Sequence, residues 1–193
     1  MPEEPANAAK LGWRVRSRQT PFTCEVFEVR QDELEVNGQK QSYASVLRPA
    51  AVVIVPVTHD GQIVTLRQYR YPVDEWCVEV PAGGTHDTGD ESLRQVARDE
   101  LGEEVGGTSD SLTYVACFYS TPALTTEKCH VFLAEGVRLA NRPERETTEE
   151  IKVEVRSARE VVELARGGEM KTAPCALAVL LCEPLLRERG YVN

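Results

Sequence analysis

Residues 79–107 read EVPAGGTHDTGDESLRQVARDELGEEVGG, a glycine-bearing loop followed by one amphipathic helix whose apolar stripe ends in acids. Laid out at about 100° per residue, Leu93, Val96, Ala97 and Leu101 share a face, the stripe by which a helix packs on a core. One further turn puts Glu100 and Glu104 where that stripe should stay apolar, with Glu103 at its edge. Burying one unpaired carboxylate costs several kcal/mol, and two of them a turn apart also repel. The nearest basic residues of the helix, Arg94 and Arg98, point to the other side. A bound divalent cation therefore accounts for the pattern better than an ion pair within the helix, and oxygen-only ligands select a hard ion, Mg2+ or Mn2+. The competing reading is a solvated acidic face, the usual fate of a charge run. The helix is expected over roughly 90–105, with Gly106-Gly107 as its stop.

The rest of the chain supplies strands. Residues 1–10 are polar and expected to be loosely attached. Residues 13–18 and 24–30 alternate in strand fashion, and 32–36 run into Asn37-Gly38, a type I′ hairpin signal, before 40–47 return. After Arg48-Pro49, residues 51–57 are apolar throughout, as in a strand buried on both faces. His59-Asp60-Gly61 marks a second hairpin, with His59 a turn residue, leading to strands at 63–67 and 76–80. Strands at 112–119 and 128–134 flank the loop 120–127, and another is expected at 151–155. Ser157 caps a helix ending at Gly167-Gly168; Thr172 and Pro174 open a last helix to about residue 189, with Leu177, Leu180, Leu181 and Leu185 facing inward. The order predicts an α+β fold with helices packed on a mixed sheet, divided into an N-terminal antiparallel meander over 1–47 and a second domain over 48–193.

At 193 residues the chain suits one domain with a small appendage and is long enough to bury a core. A net charge of −9 argues against a nucleic-acid or anionic-membrane partner, which would need a basic face. Small phosphorylated substrates stay open, given local arginines and a metal. No run of about 18 apolar residues and no charged-then-apolar leader is present, so no membrane span or secretion signal is expected and the chain is read as cytoplasmic. Cys24, Cys77, Cys117, Cys129, Cys175 and Cys182 show no paired metal-ligand spacing and lie mostly in apolar runs, the pattern of reduced core residues. His86 and His130 are too far apart in sequence to imply a zinc site.

Glu91, Glu100, Leu101, Glu103, Glu104 and Gly106 fall at the spacing of the Nudix box, and the chain resembles that family. Glu79-Val80-Pro81-Ala82-Gly83 is similar to the segment that precedes the box in the ADP-sugar pyrophosphatase branch. Asp99 stands where the family has an arginine, and Thr85 where it has the box glycine, so the loop is about two residues longer. The resemblance implies an α/β/α sandwich. It implies hydrolysis of the diphosphate of ADP-ribose or a related nucleoside diphosphate sugar, with relatives that cut UDP-sugars and a weakly catalytic nucleotide-sugar-binding module as the alternatives.

In proteins of this kind Glu100 and Glu104 hold the metals, Glu103 assists, and the Ala82 backbone carbonyl completes a site. The loop 120–127 resembles the segment in which a proline is followed five residues later by the catalytic glutamate, here Pro122 and Glu127. Pro122 is also the feature associated with ADP-ribose preference. Arg70, in the Gln-Tyr-Arg run, and Arg67 are the expected guanidinium partners of the diphosphate, against the plainer reading of solvated strand ends. Arg48 matches a position that reaches the partner subunit's site, so a homodimer is expected. Glu79 matches a ribose contact. Trp13 is either a base-stacking face or a packing residue.

Overall fold

The computed structural model describes residues 5–85, 92–141, 143 and 150–192. The chain divides into two compact units, Met1–Pro49 with Tyr119–Glu127, and Ala50–Phe118 with Lys128–Asn193. The boundary expected at residue 47 thus falls at Pro49, and the smaller unit also takes in the loop around Pro122.

In the smaller unit a short helix, α1 (Ala6–Lys10), precedes an antiparallel meander of β1 (Arg14–Thr23), β2 (Glu28–Val36) and β3 (Gln39–Leu47). Residues 6–10, expected to be disordered or loosely attached, form a helical turn that Ala6, Ala8 and Ala9 favour, although α1 buries no side chain. Asn37 and Gly38 take φ of 52° and 77°, the type I′ geometry expected of that pair, and Val36 meets Gln39 across the turn. Among the described residues of this unit only Val15 and Leu34 are buried apolar side chains, and the buried Asp32 is bound by both arms of Arg18 (2.7 and 3.1 Å). The meander has little core of its own.

The larger unit is built from β4 (Ala51–Thr58), β5 (Gln62–Arg70), a 3-10 turn at Tyr71–Val73, β6 (Glu75–Glu79), β7 (Ala82–Gly84), α2 (Leu93–Val105), β8 (Gly107–Thr108), β9 (Ser111–Tyr119), β10 (Lys128–Leu139), β11 (Ile151–Ser157), α3 (Ala158–Gly167) and α4 (Ala173–Glu188). The sheet runs β11-β5-β4-β10-β8, with β6 on β5, β7 on β4 and β9 on β10. It is mixed: β4 and β10 are parallel, whereas β5 is antiparallel to β6 and β11 and β4 to β7. Both β5 and β10 outrun the segments expected from sequence because neighbours carry their ends, Gln68–Arg70 by β6 and Arg138–Leu139 by β8.

Alternation along β4 separates two cores. Val53, Val55 and Val57 join Val161 and Val162 of α3 and Ala178, Val179, Cys182 and Leu186 of α4. Val52 and Ile54 join Val96, Ala97, Leu101 and Val105 of α2. Helices thus cover both faces, and β4 is apolar on both sides because both sides are buried. On α4 the buried stripe is Cys175, Ala178, Val179, Cys182, Glu183 and Leu186; of the leucines expected to face inward, Leu180, Leu181 and Leu185 are half-buried and pack against this core, whereas Leu177 is 39% exposed. Small side chains on the inner ridge let the helix lie close to the sheet, and the leucines flank it. All six cysteines are free, with Cys24 and Cys117 exposed and the other four buried. Among the described residues no helix is long and apolar enough to cross a membrane.

Candidate active site

Ser92 accepts the Gln95 N–H (3.3 Å) to start α2, and Gly106 ends it with a φ of 66°. Glu91 and His86 lie outside the described residues. Along α2 the buried stripe is Val96, Ala97, Leu101, Glu104 and Val105, so a carboxylate occupies a core position at 5% exposure. Glu104 Oε2 accepts the Ala82 N–H at 3.0 Å. One turn earlier Glu100 lies against Gly83, where a Cβ would fall 1.8 Å from Oε1. Two carboxylates a helical turn apart therefore converge on the Ala82-Gly83 backbone. Glycine matters here by close approach rather than by φ, since a methyl would displace the end of the Glu100 side chain.

Glu103 is exposed and lines a shallow groove with Arg98, Asp99 and Gly102. Asp99 accepts from Gln95 Nε2 at 2.9 Å. Arg94 donates to Leu112 O and lies 5.9 Å from the Phe132 ring centre, so it leans over the edge of the core on which α2 packs rather than pointing to the opposite side as expected. Among the described residues no cluster of three or more His, Cys, Asp and Glu side chains is formed that could hold a metal ion. The two carboxylates offer oxygen donors of the kind a hard divalent cation takes, with the Ala82 N–H bound to one of them.

A second buried acid lies at the end of β6. Glu79 is 1% exposed; its Oε1 accepts from Arg70 Nε (2.9 Å) and Thr172 Oγ1 (2.7 Å), and its Oε2 from Arg70 Nη2 (2.5 Å). This two-pronged pairing holds the guanidinium plane in one orientation. The hydrogen bond to Glu79 raises the Arg70 pKa further, and the Glu104 charge adds to it. Thr172 makes no capping bond to α4, contrary to its sequence position, because its hydroxyl goes to Glu79. Burial pushes the neighbouring Cys175 thiol up, and it donates to Val80 O (3.6 Å). Arg67 is exposed, 6.0 Å from the Trp76 ring centre, which Lys152 Nζ approaches to 4.9 Å.

In the smaller unit Arg48 Nη1 lies 3.0 Å from Glu127 Oε1, with the Glu127 side chain 13% exposed. Arg48, expected to serve the partner subunit, thus has an acidic partner in its own chain. Pro122 is exposed and lines a cavity of about 280 Å3 together with Trp13, Val15, Arg30 and Tyr43.

The NUDIX domain family matches residues 47–173. This chain belongs to the Nudix family. It is 32% identical over 173 residues to an ADP-ribose pyrophosphatase of Bacillus subtilis, covering 87% of this chain and 92% of the relative. It is also 32% identical over 117 residues to a methanol dehydrogenase activator of Bacillus methanolicus, 60% of this chain and 62% of the relative. A crystal structure of an ADP compounds hydrolase shares the fold at a TM-score of 0.80 and 23% identity, over 93% of this chain and 97% of that one.

Within the Nudix frame the structure brings Glu100, Glu104 and the Ala82-Gly83 backbone together, and separately pairs Arg70 with Glu79 and Arg48 with Glu127. Three participants escape a reading of the sequence: Gly83 as the floor under Glu100, Thr172 behind Glu79, and the threonines before Glu127. The only signal for the last is two adjacent β-branched hydroxyl residues, Thr125 and Thr126, in the loop.

Proposed function

We propose that this Nudix protein is a divalent-metal-dependent hydrolase of the diphosphate in ADP-ribose or a related nucleoside diphosphate sugar, giving AMP and a sugar phosphate. The observation that carries the reading is the convergence of Glu100 and Glu104 on the Ala82-Gly83 backbone at the end of an otherwise apolar stripe. The Bacillus subtilis relative, matched over 92% of its length, is named an ADP-ribose pyrophosphatase, which supports the substrate class.

In the reaction the oxygen of water bonds to one phosphorus, and the bridging oxygen leaves with the other phosphate. Glu100 and Glu104, with Glu103 alongside and the Ala82 carbonyl, would hold Mg2+ or Mn2+, which would supply charge neutralisation on the phosphate oxygens and a more acidic water. Glu127 is assigned the proton of the attacking water by its place five residues after Pro122. Arg70 presents an oriented guanidinium to the diphosphate, with Glu79 fixing its plane. Arg67 and Arg48 are the further cationic contacts. Trp13 and Tyr43 line the cavity of the smaller unit, and aromatic faces of this kind stack on nucleobases. The small core of the meander favours a homodimer in which a second copy completes it, and the reduced cysteines favour the cytoplasm. A monomer at micromolar concentration with full activity would refute the dimer.

The deciding experiment incubates purified protein with Mg2+ and a panel of nucleoside diphosphate sugars and separates the products by chromatography. AMP from ADP-ribose is expected; preferential release of UMP from UDP-sugars would redirect the substrate assignment. Asp99 favours one second reading, a binding module, since it accepts a bond from Gln95 where the family has an arginine. That reading wins if the wild type binds ADP-ribose, turns over nothing in the panel, and gains hydrolysis on Asp99→Arg.

A further inference from the structure

The loop that carries Glu127 is fastened to the end of β3 by a parallel bridge whose last step is made by a side chain. Val46 N–H donates to Leu124 O (2.8 Å) and Thr126 N–H donates to Val46 O (3.1 Å), one parallel ladder step centred on Val46 and Thr125. Continued by main chain, the next step would use the backbone groups of residues 126 and 128. Instead Thr126 Oγ1 accepts the Arg48 N–H (3.1 Å) and donates to Arg48 O (3.3 Å). One hydroxyl thus stands in for both bonds of a ladder step, and the main chain is free to leave β3 at Glu127 with the register kept.

Glu127 is itself held at three points. Its N–H donates to Thr125 Oγ1 (3.2 Å), its carbonyl accepts from Ser120 N–H (3.2 Å), and its carboxylate meets Arg48 Nη1 (3.0 Å). Arg48 is therefore tied to the loop twice, through its backbone by Thr126 and through its guanidinium by Glu127. At the other end of the loop Tyr43 Oη donates to Ala123 O (3.0 Å).

We propose that Thr126 is a positioning residue for Glu127: its hydroxyl clasps the loop to the Arg48 backbone and so sets where the carboxylate stands. The proposal rests on the reading of Glu127 as the base. A β-branched hydroxyl suits the task, because the second substituent on Cβ limits χ1 while Oγ1 serves as both donor and acceptor. Valine keeps the shape and loses both bonds; serine keeps both bonds with a freer rotor.

The test is steady-state hydrolysis of ADP-ribose with Mg2+. Thr126→Val is expected to lower kcat roughly tenfold to a hundredfold with KM changed by less than about twofold, the signature of a misplaced catalytic group. The acid limb of its pH–rate profile should move, and Thr126→Ser should return kcat to within about threefold of wild type. In a Glu127→Gln background Thr126→Val should change nothing further, since its effect runs through the carboxylate. Wild-type kcat and pH profile in Thr126→Val overturn the proposal, as does an equal loss in the Glu127→Gln background. If Glu127→Gln alone keeps wild-type kcat, the reading of Glu127 itself fails and the proposal falls with it. Thermal melting checks the fold; should Thr126→Val not fold, Thr126→Ala, which loses the same two bonds, is read the same way, and a wild-type kcat there overturns the proposal.

Discussion

On one face of the sheet α2 buries Glu104 at 5% exposure, and on the other α4 buries Glu183 at 8%. Glu183 is ringed by guanidinium: Arg166 Nη2 reaches both its oxygens (2.5 and 2.7 Å) and Arg187 Nε reaches Oε1 (2.7 Å), which ties α3 to α4. Glu104 instead receives the main-chain N–H of Ala82 and has Glu100 a turn before it on the same helix. Residue type and burial are alike in the two regions. Their described company differs: two arginines hold Glu183 between α3 and α4, whereas Glu104 accepts from the Ala82 main chain, with Glu100 a turn before it over Gly83. Burial alone does not say what an acid is for.

The strongest way to break this contrast is to neutralise each acid in turn. Glu104→Gln is expected to lower kcat on the order of a thousandfold, about 4 kcal/mol of transition-state stabilisation, while the melting temperature stays within a few degrees. Mg2+ should raise the melting temperature of the wild type by mass action and that of the variant less. An active Glu104→Gln enzyme, or a wild type whose activity and melting both ignore Mg2+, would return Glu104 to the same class as Glu183.

Gly83→Ala sharpens the same point without touching an acid. The added methyl would lie 1.8 Å from Glu100 Oε1, and what must move is the end of a flexible side chain rather than backbone. Stability should therefore change little, whereas kcat should fall roughly tenfold to a hundredfold as the carboxylate is displaced. Unchanged kinetics would mean that the Glu100 position over Gly83 plays no part in turnover.

What could be read from the sequence was local. The α2 stripe, the Asn37-Gly38 turn and the doubly buried β4 follow from side-chain period and turn chemistry within one segment, and the structure has all three. On α4 the expected leucines divide: Leu180, Leu181 and Leu185 pack half-buried beside a more deeply buried ridge and Leu177 is exposed, a division that only packing against the sheet decides. The bonds behind the candidate site join positions far apart in the chain: Thr172 to Glu79 spans 93 residues, and Arg48 to Thr126 spans 78. No periodicity reports a hydroxyl that serves a strand so distant, so the bonds from Glu79 to Arg70 and Thr172 are not legible in the sequence.

Glu79→Gln tests the bonds to Arg70 and is intermediate in effect. It removes the charge facing Arg70 from a site that is 1% exposed, and about 2 kcal/mol of stability should go, less than for a fully enclosed pair because the Arg70 side chain is 42% exposed. If Glu79 works through Arg70, KM for ADP-ribose should rise more than kcat falls, and Arg70→Lys, which cannot match the two-pronged geometry, should behave the same way. A loss confined to kcat, with Arg70→Lys silent, would detach Glu79 from substrate binding.

Glu183→Gln should have the smallest effect, and its pH dependence is what sets it apart. The Arg166 and Arg187 side chains are 44% and 45% exposed, so solvent screens the network and about 1 kcal/mol is the expected loss at neutral pH, with kcat unchanged. The Arg187 bond, helped by the Arg166 charge, holds the Glu183 carboxyl below its ordinary value of 4.5. With the folded pKa below the unfolded one, the unfolded chain binds the proton first as the pH falls. The stabilisation is thus complete above the ordinary carboxyl range and disappears as the pH drops through the lowered folded value. Urea melts of wild type and Glu183→Gln should be separated at pH 7 and begin to draw together below about pH 4.5, where the unfolded chain takes up this proton, closing as the folded carboxyl is protonated at lower pH. A gap that stays constant into acid would show that the arginines hold Glu183 by shape rather than charge, and the difference from Glu104 would then need another cause.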